Sequence, residues 1–256
     1  MSVDPTKPHL GRVYDFMLGG HHNYEVDRQA AAAILKTVPS YPKWARLNRW
    51  FLQLVATQWE QAGRTHVLDL GSGLTTGGHF NELLPKAKIL FSDIDPLTVA
   101  YGTDLLKGQP NMKYVQIDAA DPQAVLAQVE SYFGGNRQLA VGCIGVAYLI
   151  PDEPLHRLMQ ALHSYCAPGS VLACTSIEWR EGHEPTARGS EQAETIQRHT
   201  GSGPVVRTRS GQQALFAPWK VVAVRSLTDW LNVPDMFSAE ELSNMDAQLT
   251  GWTLER

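Results

Sequence analysis

THVLDLGSGLTTG, residues 65–77, is the stretch that decides the fold. Val67, Leu68 and Leu70 give it the apolar character of a buried strand, yet Asp69 sits among them and Gly71-Ser72-Gly73 follows at once. Strand-like sequence on both sides of a helical pattern continues from there. THVLDL, KILFSDI, MKYVQID, QLAVGCIGV and SVLACTSI read as five strands, and the segments 76–84, 96–107, 121–133 and 152–166 between them read as helices. Leu155, Leu158, Met159 and Leu162 mark the buried stripe of the last helix, and Pro122 and Pro154 fall where first-turn prolines are tolerated. Strands and helices in alternation imply right-handed βαβ units around a parallel sheet covered on both faces. Ligands of such sheets bind beyond the carboxyl ends of the strands. Gly71, Asp93 and Asp118 all fall there.

Outside this block the pattern is different. Residues 1–10 read as a polar tail, a helix is expected over 27–37, and another over 43–61 with Trp44, Leu47, Phe51, Val55 and Trp59 at helical spacing. Residues 178–208 are polar and without period, which reads as a long connection of the kind that covers a binding site. A short helix near 210–216, a strand at WKVVAV, a helix capped by Ser238 with Glu241 at the capping-box position, and a last strand at GWTLER complete the chain.

The 256 residues carry 22 basic and 26 acidic side chains and a net charge of −4, which is not the basic footprint of a nucleic-acid binder. The longest apolar run, residues 139–150, is short of the ~20 residues a membrane span needs, and the N-terminus has no apolar signal-peptide core. Cys143, Cys166 and Cys174 have no CxxC spacing, which fits a reducing, cytoplasmic setting.

A glycine turn after the first strand lets a ligand approach the backbone, and a carboxylate twenty residues on, Asp93, can accept from a ribose diol. Asp69, two residues before the first glycine, disfavours a pyrophosphate there and favours a cationic or zwitterionic group. Asp118, followed by Ala119 and Ala120, can accept from an adenine amino group. S-adenosylmethionine, with its ammonium, sulfonium, ribose and adenine, matches that order of sites. A nicotinamide dehydrogenase is the weaker alternative.

VLDLGSG, FSDIDP and VQIDAADP resemble the strand-end motifs of class I S-adenosylmethionine-dependent methyltransferases. RVYDFMLGG followed by Asn23 and Arg28, ARLNRWFL at 45–52, DLGSGLTT and LIPDE at 149–153 resemble more specifically the family known as S-adenosyl methyltransferase. That resemblance implies an α/β, Rossmann-like fold: a mostly parallel seven-stranded sheet with helices on both faces and a helical cap. It implies a cap over residues 1–62 and a core over 63–256 with a lid-like insertion at 178–208. It implies binding of S-adenosylmethionine, without a metal, by Arg12, Tyr14, Gly19, Asp69, Gly71, Ser72, Gly73, Asp93, Ile94, Asp118, Ala119 and Gly145, with Asn48 and Arg49 holding the cap in place. This chain departs from the family pattern at His21-His22, at Tyr148, and across 234–256.

Methyl transfer to a neutral hydroxyl or amine is helped by a base. His21 and His22 are the candidates, with Tyr24 or Tyr148 to orient the acceptor; each competes with an ordinary surface or capping role. Adjacent histidines point apart and no third ligand stands at metal-binding spacing. The expected acceptor is a small molecule, a specialised metabolite methylated at O or N, with C also open, and a homodimer is compatible with the sequence. A donor-binding regulator without transferase activity is the competing function.

Overall fold

Five parallel strand-and-helix units do form where the apolar runs predict them. The computed structural model describes residues 6–74, 77–180 and 187–256. Three helices come first: α1 (Leu10–Met17), α2 (Glu25–Thr37) and α3 (Tyr41–Gln61). Then follow β1 (His66–Leu70), α4 (Phe80–Leu83), β2 (Lys88–Asp93), α5 (Pro96–Leu105), β3 (Met112–Gln116), α6 (Pro122–Phe133), β4 (Ala140–Cys143), α7 (Asp152–Tyr165) and β5 (Val171–Trp179). The rest of the chain is α8 (Ala187–Thr200), β6 (Val206–Arg207), α9 (Arg209–Phe216), β7 (Lys220–Ser226), α10 (Leu227–Trp230), α11 (Ala239–Ser243) and β8 (Ala247–Glu255).

The strands lie in the order β3-β2-β1-β4-β5-β8-β7, parallel from β3 to β5, with β8 antiparallel to both its neighbours. The sheet has eight strands where seven were expected. The extra one is the two-residue β6, which pairs parallel with Ile177 and Glu178 of β5. β4 pairs with β5 only as far as Cys143↔Cys174, so β6 takes up the edge that β5 keeps free beyond that point.

Each face of the sheet carries a hydrophobic cluster. α6, α7 and α9 cover one side with Val125, Val129, Leu158, Met159 and Phe216. α3 covers the other, where Leu47, Phe51, Val55 and Trp59 pack with Val67, Phe80, Ile89 and Phe91. A third cluster joins Val13 and Met17 of α1, Ala31 and Ile34 of α2, Ala45, and Ile196 of α8.

Three differences from the sequence reading stand out. The tail expected over 1–10 does not reach its last residues: His9 accepts from the Gly11 N–H at 3.3 Å and caps α1, which begins at Leu10. The polar 178–208 stretch holds a fourteen-residue helix, α8, and the end of β5. Its buried positions include Thr195 and Thr200 beside Ile196, so the face that packs has no apolar stripe to detect. The helix expected over 76–84 is the single turn α4, and Thr75 and Thr76 lie outside the described residues. Among the described residues no helix is long and apolar enough to cross a membrane.

Candidate functional site

The carboxyl ends of β1, β2 and β4 open onto a cavity of about 370 Å³, within the ~300–1,000 Å³ typical of small-molecule sites. Its floor is the glycine turn. Gly71 has φ +63°, and a Cβ there would lie 2.6 Å from Val146 Cγ2, so the turn closes against the loop after β4 only because the side chain is missing. Gly73, at φ +59°, would point a Cβ into open space. The turn is held from three sides. Ser72 N–H donates to Ser92 O at 2.8 Å, Tyr114 Oη donates to Gly73 O at 2.6 Å, and Gly73 N–H donates to Asp93 Oδ2 at 3.0 Å.

Asp69 sits under this turn, 2 % exposed, with Oδ2 lacking any hydrogen-bond partner. Burial pushes its carboxyl up to about 7; the nearby Asp93 adds to the rise, while Ser72 and Arg49 oppose it. His79 Nε2 approaches Asp69 Oδ2 at 3.8 Å. Burial, and then Arg49, pushes that imidazole well below its ordinary value, and its Nδ1 accepts from the Phe80 N–H at 2.9 Å. The two groups therefore meet as a neutral histidine and a carboxyl that holds its proton more tightly than usual, not as an ion pair.

Asp93 is also pushed up by burial, against the pull of two backbone donors, Asp95 N–H at 2.9 Å and Gly73 N–H. Asp118 is exposed and accepts from Ala120 N–H at 2.8 Å. Between the two strand ends Ile94 lines the cavity with 53 % of its side chain open, an apolar platform beside two carboxylates. Gly145 N–H donates to Thr175 Oγ1 at 2.7 Å, and Tyr148 and Asn48 face each other at 3.3 Å across the far end.

Of the residues read from sequence, Tyr14, Asp69, Gly71, Ser72, Gly73, Asp93, Ile94, Asp118, Ala119, Gly145 and Tyr148 line this cavity. Arg12, Gly19, His21, His22 and Tyr24 do not. Arg12 is buried and fully engaged: Nε donates to Asp27 Oδ2 at 2.8 Å, Nη2 to Lys7 O at 2.6 Å, and Nη1 lies 3.5 Å from Asp95 Oδ2. It pins α1 to α2 and to the start of α5. His21 is exposed, and His22 packs edge-on against Tyr101 with ring centroids 5.4 Å apart. Tyr24 is the N-cap of α2, its N–H donating to Asp27 Oδ2. Gly19 has a positive φ and no atom within 4 Å of a built Cβ.

The 19–23 segment instead wraps a carboxylate the sequence reading passed over. Asp15, 6 % exposed and lining the cavity, accepts from His22 N–H at 2.9 Å and Asn23 Nδ2 at 3.0 Å. A Cβ on Gly20 would fall 2.1 Å from Asp15 Oδ1, so the second glycine is what lets that loop close. His79 and Val146 were also missed: His79 shows locally only as a helix cap and meets Asp69 through the fold, and Val146 gains its role from Gly71, 75 residues away. Tyr14 donates to Ala45 O at 2.9 Å, and burial pushes its phenol up to about 12. Burial raises Tyr148 well above its ordinary value. Among the described residues no group of three or more His, Cys, Asp or Glu is placed to hold a metal.

Comparison with known proteins places the chain by similarity. The family model described as S-adenosyl methyltransferase matches residues 1–248. A candidate methyltransferase from Thermobifida fusca is 27 % identical, with TM-score 0.82 over 98 % of this chain and 96 % of that one. A DUF574 family protein from Streptomyces avermitilis is 21 % identical, with TM-score 0.84 over all of both chains. Geranyl diphosphate C-methyltransferase from Streptomyces coelicolor, solved with Mg²⁺, geranyl diphosphate and S-adenosyl-L-homocysteine, shares the fold at 14 % identity and TM-score 0.53, over 81 % of this chain and 79 % of that one. No curated protein matches.

Proposed function

The chain belongs to the S-adenosyl methyltransferase family, and from that premise we propose that the cavity over β1, β2 and β4 binds S-adenosylmethionine and methylates a small-molecule acceptor. The observation that carries the assignment is Asp69: a buried carboxyl with one oxygen left without a donor, beside a turn where Gly73 leaves open space. An isolated buried carboxylate is costly, and a ligand ammonium would supply the missing partner. Arg49 lines the same end of the cavity, with Nη2 3.5 Å from Leu74 O, so an amino-acid zwitterion would meet one charge of each sign. Asp93 would accept from the ribose hydroxyls, Ile94 and Ile117 would flank the adenine, and Asp118 would accept from its amino group.

When bound, S-adenosylmethionine supplies a methyl carbon on a positive sulfur; the acceptor's electron pair forms the new bond as the sulfur keeps the pair of the broken one. The chain's own residues orient and dehydrate. Alignment of this kind contributes up to ~7–11 kcal/mol. Tyr14 and Tyr148, raised by burial, keep their protons, and His79 is neutral and buried.

The division into a cap over 1–62 and a core over 63–256 with the 178–208 insertion belongs to the same proposal, as do a cytoplasmic location and a role in specialised metabolism. Support for the last is the shared fold with an enzyme solved with geranyl diphosphate. The acceptor is expected to be methylated at O or N. Calorimetry tests the proposal: S-adenosylmethionine and S-adenosylhomocysteine should bind in the micromolar range and NAD should not. Absence of binding by both, or binding of NAD instead, would overturn it.

A further inference from the structure

A second, smaller chamber of about 60 Å³ adjoins the first and shares Tyr14, Tyr41, Asn48 and Tyr148 with it. Its other walls include Trp44 of α3, Ile177 and Trp179 of β5, Ile196 of α8 and Val206 of β6. Among the described residues that line it there is no Lys, Arg, His or Cys, and one carboxylate, Asp246. A phosphate or carboxylate there would be buried without a counter-charge.

Two polar groups in this wall have no partner. Asn48 is 2 % exposed; its Nδ2 faces the Tyr148 hydroxyl at 3.3 Å and its Oδ1 bonds to nothing. Turning the amide over would exchange the ends and leave the nitrogen unpaired instead. Trp44 Nε1, also buried, has no acceptor. Both residues stand on α3 four positions apart, which puts them on one face and ~6 Å apart along the axis. Most buried polar groups in proteins are paired, so two orphans side by side in a chamber wall ask for a ligand.

We propose that this chamber is the acceptor subsite and that it takes an uncharged aromatic or enolic hydroxyl compound, its hydroxyl at Asn48 and Tyr148 and a conjugated carbonyl one ring away at Trp44. The inference rests on the donor assignment above, because the shared wall at Asn48 and Tyr148 is where the two chambers meet. A conjugated carbonyl also answers the question of the missing base. Tyr14 is pushed up to about 12 and Tyr41 and Tyr148 are raised by burial as well, so none of the three phenols at the junction serves as a base near neutrality. A hydroxyl acidified by its own carbonyl gives up its proton to solvent only with the donor bound, whose sulfonium supplies the counter-charge that the chamber lacks. Its oxygen then forms the bond to the methyl carbon, the carbon–sulfur bond breaks, and the electron pair stays on sulfur.

The test is calorimetry on the full chain saturated with S-adenosylhomocysteine, using 4-hydroxyacetophenone as probe. Saturable binding is expected, with at least a tenfold loss for acetophenone, which lacks the hydroxyl, and for 4-hydroxybenzoate, which is anionic. Trp44→Phe keeps the ring and removes the donor. It should weaken the probe about tenfold and leave S-adenosylhomocysteine affinity unchanged, which also shows that the variant is folded. No probe binding, equal affinity for all three compounds, an unaffected Trp44→Phe, or preference for cationic tyramine with Asp246 as its anchor would overturn the inference. In each case retained S-adenosylhomocysteine binding keeps the donor assignment; loss of that binding in the wild-type chain is the failure of the assignment itself.

Discussion

Replacing Asp69 by Asn removes a proton-binding group while keeping its shape, and its effect on stability should depend on pH. The Asp69 carboxyl is raised from its ordinary 3.8 to about 7, first by burial. Between those values the folded chain holds a proton that the unfolded chain has released, so the stability contributed by the protonated group is full below pH ~4 and declines as pH rises through 7. At ~1.4 kcal/mol per pH unit the loss comes to at most about 4 kcal/mol, reached at pH 8 and above. That ceiling assumes no water reaches Oδ2. The amide in Asp69→Asn never ionises, so the ligand-free variant should match the wild type near pH 4 and exceed it by ~2–4 kcal/mol at pH 8. Urea denaturation of both proteins at pH 5, 6, 7 and 8 gives the difference directly. Adding S-adenosylmethionine should invert the order, because the ammonium finds its partner only in the wild type. Two parallel stability–pH curves would refute the placement of an unpaired, ionisable group at the end of β1.

The two glycines of the turn should respond differently. Gly71→Ala drives a Cβ into Val146 and should destabilise the fold by ~2–4 kcal/mol, whereas Gly73→Ala meets nothing and should cost only the ~1 kcal/mol of a left-handed backbone while blocking the ligand; equal melting temperatures for the pair would count against the turn geometry. Asp93→Ala should weaken S-adenosylhomocysteine tenfold to a hundredfold, from ~1.5–3 kcal/mol of hydrogen bonding, and the loss should disappear for an analogue without the ribose diol. His22→Ala should leave turnover and donor affinity within about twofold, since the ring packs on Tyr101 outside the cavity; a tenfold fall in turnover in a stable variant would return it to the catalytic candidates.

The parts of this site legible in the sequence are those whose signal is local. A glycine turn after an apolar strand, and an acid where each strand stops, need no knowledge of distant residues, and Asp69, Gly71, Asp93 and Asp118 were found that way. What stayed hidden gains its meaning from three-dimensional packing, even between residues close in sequence. Asp15 looks like one more polar position of an amphipathic helix until Gly20 and Asn23 close over it. His79 shows as a helix cap, and only the fold brings it to Asp69. α8 escaped because its packed face is Thr195, Ile196 and Thr200, so no period of apolar residues betrays it. The opposite error was made with His21-His22. Paired histidines in a glycine-rich segment suggest proton chemistry, but that segment spends its backbone on the Asp15 carboxylate and turns the rings elsewhere.

Hydrogen bonding at the carboxyl edge of the sheet separates acids whose partners come from the chain itself from Asp69, which keeps one oxygen without a partner. Asp27 takes Arg12 and two backbone N–H groups, those of His9 and Tyr24. Asp95 caps α5, accepts from the Thr98 hydroxyl at 2.8 Å and lies against Arg12. Asp15 and Asp93 each hold two donors from the chain itself. Each of these four could be as well satisfied in a protein that bound nothing. Asp69 differs: the same burial gives it a histidine too weakly basic to charge and an oxygen with no donor. Stability alone would favour Asn or an apolar residue at that position. A cation arriving from outside the chain would reverse the preference, beside a turn where Gly73 leaves open space. Under the proposed function, the acid that the fold leaves unpaired would set the charge of the ligand more firmly than the glycine turn does.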